Sequence, residues 1–183
     1  MKIEGRQPDL PETKEQNEVD MHQFLVVKLA SGLYAFAAQN VVHVALPLTP
    51  MPVPTAPTFI LGIIHIQGRF IAAVDFQQWL QVSSPVSQDT PDINSIHNNN
   101  NARLVVIEGT QSAIAILVDS VVGLQSIAAN AIHTTVGDVA DNHNGTLIGR
   151  VGIFDSSNGP TTILNTNEII ASLINQQQTS NNS

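Results

Sequence analysis

The pattern of apolar and polar positions is clearest in the stretch 59–80, which reads FILGIIHIQGRFIAAVDFQQWL. Two short apolar runs, Ile63–Ile66 and Phe70–Val74, are separated by the dipeptide Gln67-Gly68. Because glycine adopts positive φ without steric cost, this dipeptide predicts a tight reversal between two antiparallel strands. The stretch therefore predicts a β-hairpin.

Most of the remaining pattern is also typical of strands, with short runs of branched apolar residues bounded by polar ones. Besides the hairpin, the predicted strands are Phe24–Leu29, Tyr34–Ala37, Leu104–Ile107, Ile114–Val118, Leu147–Phe154 and Thr162–Leu164. Helices are few, and the pattern predicts them at Val41–Val44 (part of one turn), at Phe76–Leu80, which Asp75 is placed to cap, and at Glu168–Ile174. The Pro-rich stretch Pro47–Pro57 predicts an extended crossover, because proline cannot donate to a central ladder.

The chain contains an internal repeat. Leu25–Val44 overlays on the segment that begins at Leu104 when it is shifted by 80 positions. A looser echo matches Leu61-Gly62-Ile63 with Ile148-Gly149-Arg150, and Ala73-Val74-Asp75 with Ile163-Leu164-Asn165. Two copies in one chain predict two similar β-subdomains.

Three polar segments flank or interrupt this pattern. Residues 1–20 are charged, residues 83–102 end in a run of asparagines, and residues 175–183 contain only Asn, Gln, Ser and Thr. Because such segments bury too little apolar surface to offset the cost of ordering, we predict disordered tails and a mobile loop between the subdomains. The predicted domain spans 21–174.

Composition narrows the class of protein. The net charge of -8, with only 7 Lys and Arg, argues against nucleic-acid binding and against docking on anionic lipids. The chain has no cysteine, which excludes disulfides and thiolate chemistry. No apolar run approaches the roughly 20 residues of a membrane span, and residues 1–20 lack the apolar core of a signal peptide. We therefore expect a cytoplasmic, soluble protein that does not insert into the membrane.

Candidate catalytic groups are sparse. Asp75, Asp119 and Asp155 follow apolar strands, but none stands in the Asp-Thr/Ser-Gly context of an aspartic protease, so strand ends and helix caps are the simpler interpretation. The 6 histidines show no i, i+2 or i, i+4 metal spacing. No nucleophile elbow or phosphate loop is present. We therefore predict no catalytic residue, no metal and no cofactor, and expect a protein that is not an enzyme.

The hairpin resembles the signature hairpin of the CheW-like domain family, in which a Gly opens the first strand, another Gly closes the turn and Asp ends the second strand. Further segments fit the family's order: FLVVKL, VVHV, AIAILVDSVVG and TTILNTNEI. The resemblance covers about Met21 to Leu173. It implies an all-β fold of two packed, SH3-like, five-stranded β-barrels with few short helices, and a non-catalytic adaptor.

In that family the adaptor links the cytoplasmic tips of methyl-accepting chemoreceptors to a CheA-type histidine kinase, by contacting the kinase's CheW-like regulatory domain and a receptor helical hairpin. The implied pathway is chemotaxis or type IV pilus (twitching) signalling, with recruitment to membrane receptor arrays. The implied protein-binding residues are Val41, His43, Gly62, Gln67, Gly68 and Leu104. Structural alternatives stay open, since Val41 and Leu104 are also suited to the core, and the two glycines to backbone shape alone.

The chain departs from the family pattern at this surface. Gln67 stands where the family usually has Arg, His43 where it has an acidic residue, His65 where it has Asn, and Ala72 where it has Pro. Arg69, two positions beyond Gln67, is a candidate for a displaced charge. These departures predict either a partner that has co-varied with them or kinase coupling that is altered, redirected or lost. The alternative function is a two-lobed β-protein that binds or hydrolyses a small molecule in the cleft between its lobes, through convergent polar groups.

Overall fold

The computed structural model describes residues 20–80, 99–133 and 150–180, and these form an almost entirely β fold. Its strands are β1 (Met21–Leu29), β2 (Gly32–Ala37), β3 (Val41–Ala45), β4 (Ile60–Ile66), β5 (Arg69–Asp75), β6 (Arg103–Glu108), β7 (Ala113–Val118), β8 (Ser120–Ala128), β9 (Arg150–Ser156) and β10 (Gly159–Leu164). The helices are α1 (Phe76–Trp79) and α2 (Thr166–Ser180). A short 3-10 turn, Ala38–Asn40, precedes β3, and another, Ala129–Ala131, follows β8.

The strands form two five-stranded sheets, and each sheet takes strands from both halves of the chain. One has the order β8-β1-β2-β10-β9 and the other β3-β6-β7-β5-β4; we refer to them as the A barrel and the B barrel. Each contains one parallel pair, β2 with β10 and β5 with β7. The predicted two β-subdomains are therefore confirmed, but neither is one half of the sequence.

Within the described residues, each sheet closes on itself through one backbone bridge. The bridge is formed by a residue that follows β3 or β8 in the chain. In the B barrel, Met51 exchanges two backbone hydrogen bonds of 2.8 Å with Ile63 of β4. In the A barrel, His133 pairs in the same way with Ile153 of β9. Because these bridges connect opposite edges of each sheet, both sheets become barrels, and closure covers edges that would otherwise be open to pairing.

The structure also corrects the register of the second repeat. β4 and β5 begin at residues 60 and 69, and β9 and β10 begin 90 positions later at residues 150 and 159. Gly62 therefore corresponds to Gly152, not to Gly149 as the sequence echo suggested. At both glycines a Cβ would crowd the carbonyl of the bridge residue, Met51 or His133, which explains why neither position carries a side chain.

The apolar side chains form three clusters. One fills each barrel, around Ile64 and Val106 in the B barrel and around Phe24 and Phe154 in the A barrel. The largest lies between the barrels and includes residues of both sheets and of both helices, among them Phe36, Phe76 and Ile169. This shared cluster packs the two barrels against each other.

Four sequence predictions differ from the structure. Val41–Val44 is not helical but is strand β3, consistent with the preference of β-branched residues for strands. Strand β8 was not predicted. The helix predicted to end at Ile174 continues to Ser180, so residues 175–180 are helical rather than a disordered tail, in keeping with the good helix propensity of Gln. The predicted 83–102 loop joins two elements of the B barrel rather than two subdomains.

The last residues of that predicted loop are ordered. Ala102 is buried, and the Asn99 side chain donates to the Asp119 carbonyl at 3.3 Å and accepts from the Asn101 amide at 3.0 Å. Residues 81–98, together with the predicted N-terminal tail up to residue 19 and residues 181–183, lie outside the described residues.

Candidate functional site

The β4–β5 turn projects from the B barrel as a two-residue reversal. Gln67 and Gly68 have φ angles of 51° and 78°, and Ile66 pairs with Arg69. Positive φ at both central positions is the geometry of a type I′ hairpin turn, which matches the right-handed twist of the strands. A Cβ at Gly68 would meet nothing within 4 Å, so backbone conformation, rather than space, favours glycine there. Both turn residues are exposed.

The structure brings two of the predicted site residues into contact. Nδ1 of His43, on β3, lies 3.2 Å from Nε2 of Gln67. The Gln67 amide donates this hydrogen bond when Nδ1 of the imidazole is unprotonated. The contact joins the edge strand β3 to the tip of the β4–β5 hairpin. The two positions at which the chain lacks the family's charged residues are therefore adjacent in space.

An aromatic side chain stands beside this pair. Phe70 is 71% exposed, and its ring lies 5.0 Å, between centroids, from the ring of its cross-strand partner His65. Phe70 therefore presents an exposed aromatic face beside the turn. We call His43, His65, Gln67, Gly68 and Phe70 the hairpin tip.

The neighbouring cation is already paired. Nη2 of Arg69 donates to Oε1 of Glu108 at 2.8 Å. The hydrogen bond and the charge of Arg69 lower the pKa of Glu108, and the same contacts raise the pKa of Arg69. Arg69 is thus held in an exposed ion pair, and its role as a displaced charge stays a prediction. The five residues of the hairpin tip include no acid, Lys or Arg.

Strand β3 presents a second exposed apolar feature. Val42 and Val44 point outward on β3 and are 45% and 38% exposed. Leu46, just beyond the end of the strand, is 66% exposed. Their sequence signal was the alternation in VVHVAL, which becomes visible only when the segment is interpreted as a strand. The equivalent positions of β8, Val122 and Leu124, are also exposed, as the repeat requires.

The other predicted site residues lie deeper. Gly62, with φ 140°, is buried beneath the Met51 backbone, where any side chain would collide with the Met51 carbonyl. Val41 is partly buried and packs against the cluster between the barrels. Leu104 is 2% exposed in the core of the B barrel, so its predicted place on the lining of a groove is wrong, because its side chain is already enclosed.

The strand-end carboxylates have structural partners. Oδ1 of Asp75 accepts from the Gln78 amide at 3.0 Å, as predicted for a helix cap. Burial raises the pKa of Asp75, and the nearby charge of Asp119 adds to this more weakly, against the lowering effect of the backbone hydrogen bonds. Asp119 accepts from the Ala30 amide at 2.6 Å and from Gln77 at 2.7 Å. Asp155 is exposed on β9.

Within residues 20–80, 99–133 and 150–180, no three His, Asp or Glu side chains lie close enough together to hold a metal ion. No helix within those ranges is both long and apolar enough to cross a bilayer.

Comparison with known proteins identifies the family. The family model described as the CheW-like domain matches residues 23–173. The chain belongs to the CheW-like domain family. The match extends from β1 into α2 and so includes both barrels of the CheW-like fold.

A solved structure shares this fold. The scaffolding protein TtCheW from Thermoanaerobacter tengcongensis superimposes with a TM-score of 0.63 at 20% identity, covering 78% of this chain and 88% of that one. A search of the curated proteins found no match. The resemblance stated from the hairpin and the two-barrel fold class are thus confirmed.

Proposed function

We propose that this CheW-like chain is a non-catalytic adaptor that couples chemoreceptors to a CheA-type histidine kinase, in chemotaxis or type IV pilus signalling. The observation that carries the proposal is the family match over 23–173, together with an exposed hairpin tip at the family's signature turn. TtCheW, which has the same fold, is described as a scaffolding protein.

The exposed features suit protein contacts better than chemistry. Phe70 offers a large aromatic surface, and such side chains often dominate binding energies when a partner encloses them. Val42, Val44 and Leu46 provide a separate apolar strip on β3. We propose that the hairpin tip, including His43, Gln67 and Gly68, contacts the CheW-like regulatory domain of the kinase or the receptor tip, and that the chain is recruited in this way to receptor arrays.

We propose that a partner contacts the hairpin tip through apolar and hydrogen-bonding groups. Arg69, which lies between Gly68 and Phe70, is paired with Glu108, and His43 contacts Gln67. No observation on the described residues favours the alternative of small-molecule binding or hydrolysis in a cleft.

The experiment is a binding titration of the full chain against the regulatory domain of the kinase and, separately, a receptor cytoplasmic fragment. Phe70→Ala should weaken at least one of the two affinities by about tenfold or more, because a buried aromatic anchor is lost. Leu124→Ala is the matched control, since Leu124 is 67% exposed on β8 of the A barrel. Equal affinities for both variants and the parent would show that the hairpin tip is not part of the interface.

A further inference from the structure

Two hydrogen-bonded contacts, which we call clasps, tie the barrels together at the helices. In the first, Oδ1 of Asn167 on α2 accepts from the Thr110 amide at 2.9 Å. Helix α2 follows a strand of the A barrel, whereas Thr110 lies in the β6–β7 turn of the B barrel. The first clasp is therefore a direct contact between an amide side chain of one barrel and a turn of the other.

The second clasp contains an additional residue. Gln77 on α1 donates through Nε2 to Oδ1 of Asp119 at 2.7 Å, and Oδ2 of Asp119 accepts from the Ala30 amide at 2.6 Å. Ala30 lies in the β1–β2 turn of the A barrel, whereas α1 follows a strand of the B barrel. A carboxylate is thus inserted between the helix and the turn.

The two clasps are equivalent under the internal repeat. Thr110 lies 80 positions after Ala30, and Asn167 lies 90 positions after Gln77, the same offsets that relate the strands. Each acceptor side chain receives two hydrogen bonds, since the Thr110 hydroxyl also donates to Oδ1 of Asn167 at 3.5 Å. The clasps differ in chemistry, because one acceptor is a neutral amide and the other a carboxylate. Hydrogen bonds to an ionised acceptor are shorter and about twice as strong as neutral ones.

Asp119 also lies on one of the chain connections between the barrels, another of which runs from β2 to β3. It is the single residue between β7 of the B barrel and β8 of the A barrel, and its amide donates to the Lys28 carbonyl at 3.0 Å. The Ala30 backbone that it binds has φ 50°, a conformation that an alanine maintains only when its surroundings impose it.

We infer that Asp119 is a positioning residue that fixes the angle between the two barrels, with the Asn167 clasp as the weaker restraint. The inference concerns the fold and stands whether or not the proposed partners bind. Asp119 lies outside the hairpin tip. When the proposed partners bind, Asp119 determines how the hairpin tip is placed relative to the A barrel.

The absence of cysteine allows a direct test on the full chain. Thr58→Cys and Asn158→Cys place one exposed label on each barrel, and pulsed electron resonance measures the distance between two nitroxides. We expect one narrow distribution for the labelled parent. Asp119→Ala should broaden it about twofold, because packed units that lose a fixed contact sample hinge and shear positions. Asn167→Ala should broaden it less.

The conservative variant separates positioning from simple stabilisation. Asp119→Asn should give a width between those of the parent and of Asp119→Ala, because its amide oxygen still accepts from Ala30 and its NH₂ donates to a reoriented Gln77, but without the charge. A parental distribution in Asp119→Ala, with only a lower melting temperature, would overturn the inference. So would equal broadening in Asn167→Ala. Should Asp119→Ala fail to fold, Gln77→Ala removes one of the two bonds, and a parental width in that variant would also overturn it.

Discussion

At the scale of single residues, left-handed backbone conformations in two turns carry part of the fold. Gln67 and Gly68 make the hairpin reversal, whereas Ala30 is held by Asp119. The turn at Gly68 and the cap at Asp75 could be predicted, because both depend on residues within a few positions. The contact between His43 and Gln67 could not, because the two residues are separated by 24 positions and only barrel closure brings them together.

Asp75 should make stability depend on pH. Burial raises its pKa in the folded chain, so its contribution to stability is complete below the unfolded pKa of about 3.9 and is lost as the pH rises through the folded value. Asp75→Asn keeps a good helix cap and has no charge to bury. Its free energy of unfolding, relative to the parent, should increase between pH 4 and pH 7 in urea titrations.

The matched control for this prediction is Asp75→Ala, which lacks both the charge and the cap. It should be about 1 kcal/mol less stable than the Asn variant at every pH, the usual contribution of an N-cap. A constant difference between Asp75→Asn and the parent across the pH range would contradict the raised pKa.

At position 30, glycine should give a more stable fold than alanine. Because alanine at φ 50° costs about 1 kcal/mol or more, Ala30→Gly should raise the free energy of unfolding by about that amount. Ser31→Gly, at the neighbouring turn position, should instead lower it by about 0.5 kcal/mol through backbone entropy. Denaturant unfolding of the two variants tests this, and a loss of stability in both would show that Ala30 is not strained.

At the scale of elements, β3 and the hairpin tip determine which surface the chain offers. The hairpin was predictable because its pattern is local and strong. Strand β3 was misinterpreted as helical, because five residues of Val, His and Ala carry too short an alternation to distinguish the two periods. Strand β8 was missed for a related reason: only Asp119 separates it from β7, so the strand boundary is hidden in one apolar stretch.

Gln67→Arg should change coupling more than folding. The residue is exposed in a turn, so the free energy of unfolding should stay within about 0.5 kcal/mol of the parent. Binding to the kinase domain should be nearly independent of salt for the parent, whose hairpin tip has no acid, Lys or Arg, and should become salt-dependent in the variant. Titrations at low and high ionic strength measure this, with Gln23→Arg on β1 as the control for added charge.

An unchanged affinity for Gln67→Arg at every ionic strength, together with a large loss of thermal stability, would place this turn outside the interface. A strong salt dependence of the parent would instead show that charged residues elsewhere on the chain dominate binding.

The side chain of Asn99 offers a test at the end of the predicted loop. Deleting Gln88–Asn98 should change stability little, because the entropy of loop closure depends weakly on loop length. Extending the deletion through Asn101 removes the two hydrogen bonds of the Asn99 side chain and should cost about 1–2 kcal/mol. Thermal unfolding of both deletions compares them directly, and equal stabilities would show that Asn99 contributes nothing.

At the scale of the whole molecule, the exchange of strands between the halves is the feature that sequence reasoning could not supply. The repeat at 80 positions correctly predicted two similar units. The repeat does not determine which strands pair. The same apolar pattern fits one barrel per half of the chain and two barrels that each take strands from both halves. The shared cluster around Phe36, Phe76 and Ile169 is buried by the exchanged arrangement, and it joins the barrels whose relative position we assign to Asp119.

Coupling of a receptor to a kinase is the function we propose for this CheW-like chain. The most direct measurement is autophosphorylation of the CheA-type kinase of the same organism, with and without receptor cytoplasmic fragments, in the presence and absence of the chain. We predict that kinase activity depends on receptor only when the chain is present. Kinase activity that ignores the receptor under all of these conditions, with no binding of the chain to either partner, would contradict the claim.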